Sequence, residues 1–409
     1  MHVASADIVF AVTIDWATVG DTGNYGGPES YGRTFGAVNY AYQIGKYEVT
    51  NAQYAEFLNI KDPSGTNPYG LYNAKMGTDA NGGILFDATA NQGSKYSLKQ
   101  GSGQQPVNFV SWFDSVRFTN WLNNGQGDAD TETGAYTLQG GTTVPTGAKA
   151  IIRNSGATIV LPTEDEWYKA AYYDPEKTGG AGYWTYPTRS DSVPTSTFPG
   201  PTPNAANLIG NGFAMTPGAG TRPLDIVPGI NYLTNVGAYT ASSNYYGTFD
   251  QAGNVYEWNE ALLMPEAATT AGVRGVMGGS FYNPGEYGTN LGWFASTATV
   301  ENVGQGFRVV NLATPAAPGD FNGDGSVDNA DLTDPIRGWE ARFGVDLDGG
   351  DFLDWQRNYS GPSPEATTAG VPEPNASAIV LTIATLAGTL RVRTRRTSSG
   401  HHCVTNTTK

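Results

Sequence analysis

Gly253-Asn-Val-Tyr-Glu-Trp258, followed by Gly278-Gly-Ser-Phe281 and Gly306-Phe-Arg308, is the run on which the fold of this chain is decided. Three strings precede it: Gly45-Lys-Tyr-Glu-Val-Thr-Asn51, Pro106-Val-Asn-Phe-Val-Ser-Trp112 and Leu161-Pro-Thr-Glu-Asp-Glu-Trp167. Each of these earlier strings leads into a helix through a hydroxyl residue. Thr50-Asn-Ala-Gln53 and Thr163-Glu-Asp-Glu166 are capping boxes, in which the hydroxyl and the amide or carboxylate satisfy exposed N–H groups reciprocally. Ser111 opens the third helix, 112–122, with Asp114 at the N3 position and apolar residues at 113, 116, 118, 121 and 122, so one face is predicted to pack inward. Strand-like runs at 42–48, 158–161, 276–281 and 306–312 lie between and after these helices, joined by long Gly/Asn loops. The mixture predicts an α+β domain with much irregular structure.

The composition bounds the chemistry. Among 409 residues are 54 glycines and 24 prolines, so turns are dense, while 39% hydrophobic and 12% aromatic residues supply a large core. The net charge of −15 repels a phosphate backbone and argues against a nucleic-acid partner. The histidines are His2, His401 and His402, and the single cysteine is Cys403, so neither residue occurs between positions 3 and 400. That excludes Cys/His zinc sites, thiol nucleophiles, Ser-His-Asp triads and imidazole acid–base catalysis from the body of the chain, and no disulfide can form within it. Stability must come from packing or from ions held through oxygen.

Segments are marked by composition. Residues 1–6, with Ala4-Ser5-Ala6, read as the remnant of an export signal; the alternative is that the chain simply opens on an ordinary N-terminal strand at 8–14. The large domain spans 7–313. A Pro/Ala linker at 314–318 precedes an acidic block at 319–361, which holds ten acidic residues and three arginines. A second linker covers 362–370. Val371-Pro-Glu-Pro374, an uncharged stretch at 376–390 and Arg391, Arg393, Arg395 and Arg396 complete a segment at 371–396, and a polar tail occupies 397–409. Fifteen helical residues span ~22 Å against a ~30 Å hydrocarbon core, which suits transient insertion better than a permanent anchor. The arginines would remain cytoplasmic.

In the acidic block, Asp320, Asn322, Asp324, Asp328 and Asp331 place oxygen side chains at loop positions 1, 3, 5, 9 and 12, with Gly325 at position 6. The peptide oxygen of Ser326 supplies position 7. This is the pattern of an EF-hand-like calcium loop. Glu164, Asp165 and Glu166 could be read as a catalytic carboxylate cluster, but a first helical turn favours acids, so capping is the expected role. Tyr245, Tyr246, Trp184 and Trp293 are expected to pack in core or loops rather than stack on sugars, and Arg308 to pair with a buried carboxylate or carbonyl.

The six strings, in their order and over about 270 residues, resemble the formylglycine-generating enzyme (sulfatase-modifying factor) family. The resemblance implies an irregular α+β relative of the C-type lectin fold. It also implies a calcium site of Asp250 and Glu257 by side chain and Gly253 and Val255 by backbone oxygen, and part of a second at Asn207 and the carbonyl of Leu208. Members that generate formylglycine oxidise a substrate cysteine with copper held by two cysteines just after the Gly-Gly-Ser string, where this chain has Asn283 and Gly288. Iron-dependent relatives use His-rich sites, which the body lacks.

The acidic block, with its loop followed by an expected helix at 331–343, resembles a type I dockerin. Its second repeat, Asp346-Leu-Asp348-Gly349-Gly350-Asp351 before a helix at 352–359, is shortened, so one calcium is expected. Residues 371–396 resemble a PEP-CTERM sorting signal, which implies an exosortase-type processing enzyme as partner. The expectation is therefore an exported, non-catalytic, calcium-binding protein of a bacterial cell envelope, surface or extracellular matrix, with a recognition or structural role toward a glycan or protein ligand. Two alternatives stay open: an oxidoreductase of the formylglycine-generating family, and a cohesin-binding scaffold component.

Overall fold

The computed structural model describes residues 12–30, 32–210, 212–217, 227–292, 294–312, 319, 321, 327–333, 338–343, 347 and 349–359. It divides into a large unit, Met1–Ala317, and a small one, Pro318–Lys409. Outside the described residues lie the export-signal remnant, Trp293, both linkers, the 371–396 segment and its tail, and the loop residues Asp320, Asn322, Asp324 and Ser326.

The elements that place the site are β1 (Trp16–Val19), β2 (Tyr42–Gly45), α1 (Asn51–Lys61), α2 (Trp112–Asn123), β3 (Ile159–Val160), α3 (Glu164–Tyr172), β4 (Tyr256–Leu263), β5 (Val273–Met277), β6 (Phe294–Thr297), β7 (Gln305–Gly306) and β8 (Val310–Asn311). All three helices begin as their sequences predict. Thr50, Ser111 and Thr163 each accept from the backbone N–H three residues on, while Gln53, Asp114 and Glu166 reach back to the cap N–H.

The α2 face expected to pack inward does so, and the rest of the helix to Leu122 is buried with it. Every residue from Trp112 to Leu122 is buried, so the helix is enclosed on all sides rather than presenting one apolar face. Its polar positions are met inside: Arg117 pairs with Glu132 at 2.6 Å, and Asn120 donates to the carbonyls of Thr131 and Tyr136 at 2.8 and 3.0 Å. Around it a single core gathers Trp112, Trp121, Trp258, Phe57, Phe118 and Phe307.

Two small sheets flank this core. One runs β1-β2-β8-β3, all antiparallel, with Val310 opposite both Ile44 and Val160. The other runs β6-β5-β4-β7, with Glu257 opposite Met277 and the β4–β7 pair parallel. The strand expected at 306–312 is thus two strands of different sheets, and residues 307–309 carry the chain from one to the other. The 276–281 expectation shifts to β5, which ends where Gly278 and Gly279 take φ of 92° and 74°.

In the small unit the helix expected at 331–343 appears as Ala330–Thr333 and Trp339–Arg342, with residues 334–337 outside the described set. The second helix is Gly349–Asn358. Trp339, Phe343, Phe352, Trp355 and Tyr359 form a chain of ring contacts 4.5–5.5 Å apart, partly open to solvent at Phe343. Val327 is buried, and Asp331 accepts from the Asp328 N–H at 2.8 Å. Among the described residues no helix is long and apolar enough to cross a membrane.

Candidate functional site

The 250–257 loop turns sharply before β4. Asp250, Gly253 and Asn254 have φ of 61°, 85° and 56°. Glycine is required at 253, because a Cβ there would lie 2.0 Å from the Asn207 carbonyl oxygen. That close approach is a parallel bridge between Asn207 and Gly253, closed by the Asn254 N–H donating to the Asn207 carbonyl at 2.8 Å. The Asn207 amide donates to the Tyr232 carbonyl at 2.9 Å and to Asn254 Oδ1 at 3.0 Å, and the Leu208 carbonyl accepts from Ser196 Oγ at 2.7 Å. The residues that the resemblance assigns to two calcium sites therefore meet along one backbone seam, and the carbonyl of Leu208 already accepts a hydroxyl.

Glu257 is fully buried and held from two sides. Arg308 forks onto it, with Nη2 donating to Oε1 at 2.7 Å and Nε to Oε2, and Trp167 Nε1 donates to Oε2 at 2.7 Å. The other Arg308 donors reach the carbonyls of Gly45 at 2.9 Å and Phe249 at 2.8 Å. One guanidinium in the crossing between sheets thus fastens the end of β2, the loop before Asp250 and the start of β4. Burial is the largest influence and opposes its charge, but Glu257, with Glu48 and Asp250 adding to it, holds the Arg308 pKa above its usual value.

Asp250 is half-buried and accepts from the Gly237 N–H. Burial pushes its carboxyl up to about 6, against the lowering effects of that N–H and of Arg308. Glu48 is pushed well above the usual carboxylate range, first by burial and then by Asp250 and Glu257. In the sequence Glu48 sits inside one of the six strings, but nothing local marks it for a role, because its partner Asn254 lies 206 residues away. Among the described residues no three His, Cys, Asp or Glu side chains converge as a metal-binding group. A cation at this loop would draw on backbone or amide oxygens beside its carboxylates, as calcium readily does.

The carboxylates of 164–166 have structural partners. Glu164 pairs with Arg33 at 3.1 Å, Asp165 accepts from the Gly36 N–H at 2.8 Å, and Glu166 combines its cap with an ion pair to Arg153 at 3.0 Å. Trp184 donates to Asp174 at 2.9 Å beneath the Lys177 ammonium, 4.3 Å from its ring centroid.

Where the resemblance places copper-binding thiols, Asn283 Oδ1 accepts from the Ser280 N–H at 3.1 Å and the Asn283 carbonyl from the Ile209 N–H at 2.9 Å. The Gly288 carbonyl accepts from the Tyr172 hydroxyl at 3.1 Å. An amide committed to its own turn and a residue without a side chain do not fit Cu(I), which selects soft thiolate or thioether ligands.

Comparison with solved structures finds CarF, 22% identical, covering 73% of this chain and 98% of CarF with a TM-score of 0.48. Variable protein 1 of Treponema denticola is 19% identical over 76% of this chain and 98% of its own, with a TM-score of 0.43. PvdO from Pseudomonas aeruginosa is 16% identical over 73% and 91%, with a TM-score of 0.36. No curated protein matches the chain. Residues 33–313 match the sulfatase-modifying factor enzyme 1-like domain, and with most of its length inside that match the chain belongs to this family.

Proposed function

We propose that this protein is a non-catalytic member of its family, exported to a bacterial cell envelope, stabilised by calcium and acting in recognition or in a structural role toward a glycan or protein ligand. The observation that carries the reading is the pair Asn283 and Gly288 in a domain with no cysteine or histidine to replace them. Calcium would bind at Asp250, Gly253, Val255 and Glu257, with Asn207 and Leu208 as a weaker group, and at the loop of Asp320, Asn322, Asp324, Ser326, Asp328 and Asp331. Supporting the first group, its residues share one turn in which Asp250 accepts a backbone N–H from Gly237. The 371–396 segment would direct export through an exosortase-type enzyme, with 376–390 inserting in the membrane transiently.

Family membership favours the oxidoreductase alternative, and one assay separates the two. Purified full-length protein is incubated with copper, oxygen and a cysteine-containing sulfatase peptide, and the peptide is examined by mass spectrometry. Unchanged cysteine is expected; conversion to formylglycine would overturn the non-catalytic reading.

A further inference from the structure

Away from the 250–257 turn, a cavity of about 260 Å³ opens beside the first turn of α2, with Asp114, Glu301, Tyr69, Ser111, Thr143 and Thr299 on its wall. The two acids are distant in sequence and are brought together by the backbone. The Trp112 N–H donates to the Ala298 carbonyl at 3.0 Å and the Phe109 N–H to the Asn302 carbonyl at 3.1 Å, so 298–302 is fastened along the start of the helix. Asp114 is only 3% exposed. Its Oδ2 takes both Ser111 donors, the N–H at 2.8 Å and the hydroxyl at 2.6 Å, while its Oδ1 has no hydrogen-bond partner among the described residues. Glu301 is likewise held through one oxygen, Oε2, by the Asn73 amide at 2.5 Å. Each carboxylate is thus oriented by one oxygen, and the other is left for whatever enters the cavity.

Arg117, one turn along α2, does not answer that need. It forks onto Glu132 at 2.6 and 3.1 Å, and its Nη2 also reaches the Thr142 carbonyl at 2.8 Å. Burial first and Glu301 second push Asp114 up to about 7, and burial raises Glu301, so near neutral pH the pair without an ion retains a proton. An enclosed carboxylate oxygen is costly to leave unmatched, and a metal ion can take the place of the proton. We propose that Asp114 and Glu301 are the protein ligands of a hard divalent cation held in this cavity with several of its waters. Every polar side-chain atom on the wall is oxygen, and ions of the magnesium and calcium class bind one or two carboxylates and complete the shell with water. Such an ion would tie the start of α2 to the loop that follows β6. The site is separate from both calcium groups of the proposed function and does not depend on them.

The test uses the full chain, stripped with chelator and titrated by calorimetry with magnesium and, separately, with calcium, as wild type, Asp114→Asn and Glu301→Gln. Residues 207–257 and 320–331 are unchanged in all three, so ions held there cancel in the comparison. Each variant is expected to bind one ion fewer than wild type with at least one of the two metals. Wild-type stoichiometry in both variants overturns the site, and loss in only one of them overturns the other residue as a ligand. Because Asp114 also caps α2, wild-type crystals soaked in manganese, which takes the same oxygen ligands, give a second reading that needs no variant. An anomalous peak within about 2.0–2.6 Å of both carboxylates is expected, and its absence from the cavity overturns the proposal.

Discussion

Arg308→Met tests the claim that one buried guanidinium joins the two sheets. The substitution keeps most of the stem volume and removes every donor. Glu257 would retain the Trp167 indole alone, in a site where both side chains of the pair are fully buried, and the carbonyls of Gly45 and Phe249 would lose a charged donor. Removing one partner of a buried ion pair destabilises by about 3–5 kcal/mol, chiefly because a charge is left buried and unpaired. At roughly 2–4 °C per kcal/mol for a domain of this size class, the melting temperature should fall by about 6–20 °C. Differential scanning calorimetry of the full chain in chelator measures it without a contribution from bound calcium. Adding Glu257→Gln to Arg308→Met should recover part of the loss, since the uncompensated charge is then gone. The reasoning fails if Arg308→Met melts within about 1 kcal/mol of wild type, or if the two single losses simply add in the double variant.

Gly253→Ala should destabilise by more than ~2 kcal/mol, read as a lowered urea midpoint, because φ is 85° and the added Cβ meets the Asn207 carbonyl at 2.0 Å. Thr163→Ala removes the N-cap of α3 and should lose about 1 kcal/mol in the same assay, with Glu166 still paired to Arg153. Asp114 is pushed up to about 7, by burial first and the Glu301 carboxylate second, whereas in the unfolded chain it titrates near ~4. The folded state therefore holds the extra proton between those values, so this contribution is present at low pH and lost as pH rises through 7. The urea midpoint of the wild type should fall between pH 5 and pH 8 more steeply than that of Asp114→Asn, and equal slopes would refute the assignment.

Caps were legible because their signal is local. Thr50, Ser111 and Thr163 each find their partner three residues on, and that spacing is written in the sequence. Burial of α2 on all faces was not legible, since Arg117 and Asn120 resemble solvent positions until Glu132 and the 131–136 carbonyls come round to meet them. The split of 306–312 was hidden for a related reason. Phe307 and Val309 are buried as strand residues would be, and only the pairing partners reveal two sheets. Arg308 could be expected to meet a buried carboxylate, but its choice of Glu257, 51 residues away, is a product of that crossing.

The same contrast separates scaffold from chemistry in this family member. The strings that identify the family supply capping groups, the Gly253 turn and the Arg308–Glu257 pair, all of which serve folding with or without a reaction. Positions 283 and 288, where the resemblance places the copper-binding thiols, are tied into that scaffold: Asn283 satisfies Ser280 and Ile209, and Gly288 lends its carbonyl to Tyr172. A cysteine at 283 would leave the Ser280 N–H without the amide acceptor it now has, whereas a Cβ at 288 would meet the Ala252 Cβ at 3.4 Å, an ordinary contact. A thiol at 283 would therefore cost the turn one of its own hydrogen bonds. Asn283 thus serves its own turn within the family fold, as the capping residues serve their helices.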